Sequence, residues 1–262
     1  MAKLGGKARL FSNNSKSAKK GGSTAQQLIE KLAQQANLPL AAGLAQKLSC
    51  HWQLLAEANS HFNITAITDP AAAAEKHYLD CLLAGAAVAA YLPATGAIAD
   101  IGSGGGFPGL VLAAAYPQLD FTLIESSQKK TAFLLESAAQ MGLDNLRAVS
   151  LRAEEAGRNP ALRAAFDVVT ARAVAELNVL AEYSLPLLQE GGFFLALKGP
   201  EPQEELAAAA HALELLGGTV EQVLNYSLPS SREGRSVVVI RKSVPTPEKY
   251  PRRPGMPSKR PL

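Results

Sequence analysis

From Thr24 onward, apolar residues recur at spacings of three to four: Leu28, Leu32 and Ala36, then Leu44, Leu48, Leu54 and Leu55, with Pro39 between the sets. That period predicts amphipathic helices interrupted near the proline. Beyond residue 96 the pattern changes. Short apolar runs (Ala97-Ile98-Ala99, residues 120–125, a weaker one at Arg147-Ala148-Val149-Ser150, Phe166–Thr170 and Gly192–Lys198) alternate with helical stretches at 110–115, 128–141, 174–188 and 201–216. Strand and helix in alternation predict an α/β doubly wound, Rossmann-like parallel sheet. The end departs from this rhythm. Thr219–Tyr226 and Ser236–Ile240 read as two strands joined by 227–234 with no helix between them, so the last strand is expected to be antiparallel.

The densest chemical signal is Asp100-Ile-Gly-Ser-Gly-Gly-Gly-Phe-Pro-Gly109, directly after the first strand and before a helix. Glycines there let backbone approach a ligand more closely than any Cβ allows, and the free N–H groups of the helix start face the same point. The flanks choose among ligands. Asp100 stands at the strand tip, where it can accept from an ammonium group or water, and a dinucleotide pyrophosphate is disfavoured beside it. Glu125 ends the second strand, where a carboxylate takes both ribose hydroxyls; this suits NAD equally. An acid at each tip and no phosphate-binding lysine fit S-adenosylmethionine better than NAD, or than a glycine turn with only a packing role.

Charge is distributed unevenly. Residues 1–29 hold six Lys/Arg and no acid, residues 232–262 hold nine against two, and the middle holds eleven against twenty-one, beneath a net charge of only +3. Basic ends on an acidic body are the footprint of a polyanion contact, although basic tails also simply aid solubility. Residues 1–23 lack apolar periodicity and read as a disordered basic tail. Their lack of acids also resembles a transit peptide, but Gly5-Gly6 and Gly21-Gly22 argue against an amphipathic helix. Residues 24–95 are then a helical extension, 96–243 the catalytic domain and 244–262 a basic C-terminal tail. Cys50 and Cys81, the only cysteines, offer neither a disulfide framework nor zinc spacing, so a cytoplasmic protein without a metal or a membrane span is expected.

If the cofactor donates a methyl group, the acceptor decides what else is needed. The place after the fourth strand reads Thr170-Ala171-Arg172-Ala173 and not the Asn/Asp-Pro-Pro-aromatic loop that serves exocyclic amines; neither cysteine sits where a pyrimidine nucleophile would. Guanine N7 has an in-plane lone pair and no proton to lose, and is the clearest acceptor left. Arg172 at a strand tip then binds the methionine carboxylate, a guanine edge or a phosphate, or forms a structural ion pair. Ala153 leaves room for adenine beside Glu154. In Glu75–Asp80, helical spacing puts His77 near Asp80, a pair able to orient a substrate, though a His near an Asp is more often a satisfied structural histidine.

Taken together, Asn63-Ile64-Thr65, His77 with Asp80, the glycine loop, Ala171-Arg172-Ala173, Leu197-Lys198-Gly199 and Tyr250-Pro-Arg-Arg-Pro-Gly255 resemble a known family from about Asn63 to the C-terminus. It comprises the bacterial small-subunit rRNA methyltransferases that make 7-methylguanosine, also called glucose-inhibited division protein B. The resemblance implies a class I S-adenosylmethionine-dependent methyltransferase acting on 16S rRNA or the small ribosomal subunit. Its cofactor contacts would fall on Gly102, Phe107, Ala153, Glu154 and Arg172, in addition to Asp100, Gly104 and Glu125. RNA phosphates are expected to meet Arg232, Arg235, Arg252, Arg253, Lys259 and Arg260. Residues 1–23 and a small insertion at Arg158–Ala164 lie outside the family pattern. A small-molecule methyltransferase and a non-catalytic assembly factor are the competing readings.

Overall fold

The computed structural model describes the backbone of residues 18–262 and side chains from Thr24. Two helices open it, α1 (Ala18–Gln35) and α2 (Leu44–Asn59), separated by the segment containing Pro39. Helix α1 starts upstream of the expected boundary and takes Gly21-Gly22 into its first turns, so the expected tail is shorter than 1–23; the rest of it, 1–17, lies outside the described residues. A composite helix follows: α3 (Pro70–Ala73), capped by the Asp69 carboxylate accepting from the Ala72 N–H at 2.8 Å, a π-helical turn (Ala74–Leu79), and α4 (Asp80–Ala87).

The sheet contains β1 (Gly96–Ile101), β2 (Leu119–Glu125), β3 (Leu146–Ser150), β4 (Phe166–Arg172), β5 (Leu188–Lys198), β6 (Gly218–Ser227) and β7 (Gly234–Lys242) in spatial order 3-2-1-4-5-7-6. Strands β1 to β5 pair in parallel, and β7 runs antiparallel between β5 and β6, as the missing crossover helix requires. Connecting helices are α5 (Gly109–Ala115), α6 (Gln128–Met141), α7 (Ala153–Ala156), α8 (Leu177–Ser184) and α9 (Gln203–Leu216). Helix α8 is shorter than the expected 174–188. Pro186 lies in a 3-10 turn, Leu185–Leu187, and β5 begins at Leu188.

Successive residues of each central strand face opposite sides. Ile98, Leu195, Leu197, Val237 and Val239 join the core under the N-terminal helices, α5 and α6. Ala99, Ile101, Phe194, Ala196, Val238 and Ile240 join the core under α8 and α9. Both faces of a parallel sheet are thereby buried, and the strand tips become the exposed working edge. The order reverses between β1 and β4, which pair directly, so a crevice opens at their carboxyl ends.

Residues 244–262 are a docked segment and not a tail. Insertion residue Arg163 donates to the carbonyls of Gly157 (2.8 Å), Thr246 (2.9 Å) and Tyr250 (2.8 Å), and α10 (Met256–Lys259) closes the chain near α8. Among the described residues no helix is long and apolar enough to cross a membrane, and no group of three or more His, Cys, Asp or Glu is placed to hold a metal.

Candidate active site: two clefts at the strand tips

The glycine loop joins β1 to α5 at the switch point. Gly109 opens α5 so close to the sheet that an added Cβ would lie 2.4 Å from Leu123 Cδ2 and 2.6 Å from Asp100 Cβ. Gly104, at φ +52°, has the opposite surroundings: an added Cβ would meet only the Gly102 carbonyl, at 3.7 Å, so backbone here is presented to open space.

Asp100 does not face that space. It is fully buried, with Oδ1 accepting from the Thr170 hydroxyl (2.8 Å) and Oδ2 from the Gly109 N–H (3.2 Å). Burial pushes its carboxyl up to about 6. The expectation that Asp100 accepts directly from an ammonium group of the ligand or from water is therefore corrected: the carboxylate is buried from the cleft and clamps β1, β4 and the start of α5.

Glu125 is the acid at the rim. Its Oε2 accepts from the Gly104 N–H (3.0 Å) and its Oε1 from the Ser127 N–H (2.8 Å) and the Ser126 hydroxyl (3.5 Å), which fixes the carboxylate while Oε2 keeps a lone pair. It lines a cleft of about 210 Å³ with Gly102, Ala153, Glu154 and Val174. The C-terminal segment forms the far wall: Glu154 Oε1 accepts from the Gly255 N–H at 2.8 Å, and Ser258 bonds Tyr183 at 2.8 Å. A paired-hydroxyl acceptor, a small residue beside a flat slot and a glycine cradle that a Cβ would fill fit S-adenosylmethionine.

A second cleft, about 430 Å³, lies on the other side of the β4 tip. Ala173, at φ +55°, lines it, and the next residue, Val174, lines the first cleft. This left-handed residue at the strand end turns the chain between the two spaces, strain that the surrounding structure must hold.

The π-helical turn supplies the second cleft's wall. It brings the Lys76 carbonyl within 3.0 Å of Arg172 Nη1 and the Asp80 carboxylate within 3.1 Å of the same atom. Asp80 also accepts from the Tyr226 hydroxyl at 2.7 Å and pairs with Arg235 Nε at 3.8 Å. Phe107 packs beneath: its ring stacks on His77 at 4.4 Å between centres, and the Arg172 guanidinium lies 5.1 Å from its centre. His77 Nε2 meets the Thr65 hydroxyl at 2.8 Å, and the Asn59 side chain accepts from the N–H groups of Ile64 (2.8 Å) and Thr65 (2.9 Å). Thus the Asn63-Ile64-Thr65 segment holds His77. Burial, and then the Arg172 charge, push His77 down to about 4, so its ring is neutral at neutral pH.

Of the sequence-predicted residues, the first cleft gathers Gly102, Glu125, Ala153 and Glu154, with Gly104 bonded to its rim, while the second gathers His77, Asp80, Arg172 and Arg235. Phe107 stands between the glycine loop and His77. Arg232, Arg253, Lys259 and Arg260 are exposed. Arg252 is corrected: it grips Glu182, itself 1% exposed, through Nε at 2.9 and 3.0 Å and Nη2 at 2.6 Å, and so serves the fold and not a phosphate. Sequence reasoning missed Tyr226 and Glu233, which line the second cleft from the β6–β7 hairpin. The available signal for Glu233 was an acid set between Arg232 and Arg235 in a turn.

Comparison with known proteins agrees with this architecture. The solved [4+2]-cyclase SpnF, at 15% identity, covers 79% of this chain and 98% of its own with a TM-score of 0.51, a likeness of fold alone. A protein named ribosomal RNA small subunit methyltransferase G from Pelotomaculum thermopropionicum is 47% identical over 81% of this chain and 88% of its own length. A namesake from Symbiobacterium thermophilum is 48% identical over 84% and 91%. The profile described as GidB, rRNA small subunit methyltransferase G, matches residues 44–234, which takes in the glycine loop, the π-helical turn and most of the lining of both clefts. With its class I methyltransferase sheet, the chain belongs to the rRNA small subunit methyltransferase G family.

Proposed function

We propose that this protein transfers the methyl group of S-adenosylmethionine to N7 of a guanosine in 16S rRNA. The observation that carries the reading is the meeting of two different clefts at Ala173, one shaped for an adenosine-bearing cofactor and the other lined by ion-paired cations and acids. Glu125 would take the ribose hydroxyls, Ala153 and Glu154 would flank the adenine, and the glycine loop with Phe107 and Arg172 would border the methionine end. When bound, S-adenosylmethionine supplies an electrophilic methyl group.

The protein's own task is positioning. N7 attacks with a lone pair in the ring plane, so no proton has to be removed first, and a neutral His77 held by Thr65 suits a positioning residue. The Arg172–Tyr226 pair joined through buried Asp80 keeps the wall rigid. A nucleotide of a loop can enter the second cleft splayed from its neighbours, as single-stranded RNA permits. Exposed Arg232, Arg253, Lys259 and Arg260 hold phosphates around it.

The test is methyl transfer from labelled cofactor to small-subunit rRNA, free and within small-subunit particles lacking the modification, across a salt series. Label in RNA that falls steeply with rising salt is expected. Activity on a small neutral acceptor, indifferent to salt, would favour a small-molecule enzyme; cofactor binding without transfer to either RNA would favour an assembly factor.

A further inference from the structure

Five charged side chains of the second cleft form one alternating row. Arg172 meets Asp80 (3.1 Å), Asp80 meets Arg235 (3.8 Å), Arg235 meets Glu233 (2.7 Å), and Glu233 meets Lys76. The two acids differ in what they have left to offer. Asp80 is 4% exposed and bonded to Tyr226 and Arg172, so burial makes it part of the wall. The Glu233 side chain is 39% exposed and lines the cleft; each oxygen receives one cation and keeps a lone pair. The loop that carries it is fixed: Glu75, 6% exposed, accepts from the N–H groups of Ser230 (2.6 Å) and Ser231 (2.9 Å) on the hairpin, so loop and π-helical turn form one body.

We propose that Glu233 is the residue that selects guanine, its carboxylate accepting from the N1–H and the N2 amino group of the base. This rests on the methyl transfer proposed above and names the reader of the acceptor. Among RNA bases, guanine alone presents two adjacent donors on its Watson–Crick edge, the complement of a carboxylate; adenine and cytosine present a donor beside an acceptor, and uracil one donor between two acceptors. The orientation is also right. Arg172 begins the charged row and Glu233 stands beyond Asp80 and Arg235 along it, and N7 lies across the bicycle from N1 and N2. A guanine whose N1 and N2 face Glu233 therefore turns N7 toward the Arg172–Ala173 end, where the cofactor cleft begins. Hydrogen bonds from Lys76 and Arg235 hold the Glu233 carboxyl below its usual range, which keeps it an acceptor only.

The test uses the full-length protein and 16S rRNA in which inosine replaces the methylated guanosine, free or reconstituted into particles, whichever form the wild type methylates. Inosine keeps N7, O6 and N1–H and lacks only the N2 amino group. With the wild type, inosine is expected to lower kcat/KM by about tenfold or more, because it leaves a carboxylate lone pair unmet. In Glu233→Gln and Glu233→Ala, activity on guanosine falls and the inosine penalty shrinks to within about twofold. Melting temperature and cofactor affinity are measured alongside, and both are expected at wild-type values. An undiminished inosine penalty in both variants would overturn the assignment of Glu233. Failure of the wild type to methylate any guanosine would instead overturn the function on which it rests.

Discussion

Replacing Arg252 by alanine separates a structural arginine from an RNA-binding one. Three side-chain hydrogen bonds join it to Glu182, whose carboxylate is 1% exposed, so the substitution strands a buried charge. Stranding one partner of a buried pair costs about 3–5 kcal/mol. Here the residue 252 backbone N–H, 2.6 Å from Glu182 Oε1, survives the substitution, and the Arg252 side chain is already 24% exposed. The expected loss is accordingly about 2–3 kcal/mol, which at roughly 2–4 °C per kcal/mol lowers the melting temperature by about 4–12 °C. Because Gly255 and Ser258 line the first cleft on the same segment, cofactor affinity should fall with stability. Glu182→Gln combined with Arg252→Ala removes the stranded charge and should recover about half of the loss. Differential scanning calorimetry of the wild type and the two variants, with cofactor titrations and the salt dependence of RNA binding, checks this. A melting temperature within 1 °C of wild type together with a salt slope shallower by about one would refute the reasoning and return Arg252 to the RNA.

Three further outcomes are expected. Gly104→Val places a branched side chain at φ +52° and into the open space before Glu125, so calorimetric titration should show cofactor affinity falling by at least about tenfold while RNA affinity holds; unchanged cofactor affinity would dismiss the cradle. Asp100 has its folded-state carboxyl raised from 3.8 to about 6, so the folded protein keeps a proton that the unfolded chain has lost, and its contribution to stability falls as pH rises through that window and is level above it. Wild-type stability minus that of Asp100→Asn should therefore decline between about pH 4 and 6 by on the order of 3 kcal/mol; the opposing trend from His77, lowered to about 4, is present in both proteins and cancels, and a flat difference would count against a buried ionised Asp100. Converting exposed Arg253, Lys259 and Arg260 together to alanine should reduce the RNA-binding salt slope by up to about two without altering melting; an unchanged slope would place the phosphates elsewhere.

What could be read from the sequence was local. Strand, glycines and helix are contiguous, so the β1–α5 loop and Glu125 emerge from residues 96–125 alone, and the missing helix between 219 and 240 gives the antiparallel β7. Side-chain partners could not be read in this way. Asp100 looks like a ligand acceptor by position, but the Thr170 hydroxyl that occupies it comes from a strand seventy residues away. Arg252 looks like part of a basic tail until Glu182 of α8 meets it across the sheet's helical face. No residue pattern announces a π-helical turn, and it is this turn that sets Lys76, His77 and Asp80 against Arg172, with Tyr226 and Glu233 arriving from 146 and 157 residues further along. Helix α1 also begins within a glycine-bearing stretch that propensity disfavours.

The central claim is the identity of the acceptor atom, and nucleoside analysis of the labelled product tests it most directly. Small-subunit rRNA methylated by the purified protein is digested to nucleosides and resolved by mass spectrometry against authentic standards. The account predicts that the label resides in 7-methylguanosine, at one position in the RNA. Label in a base-amine, C5-methyl or ribose-methyl product would contradict it.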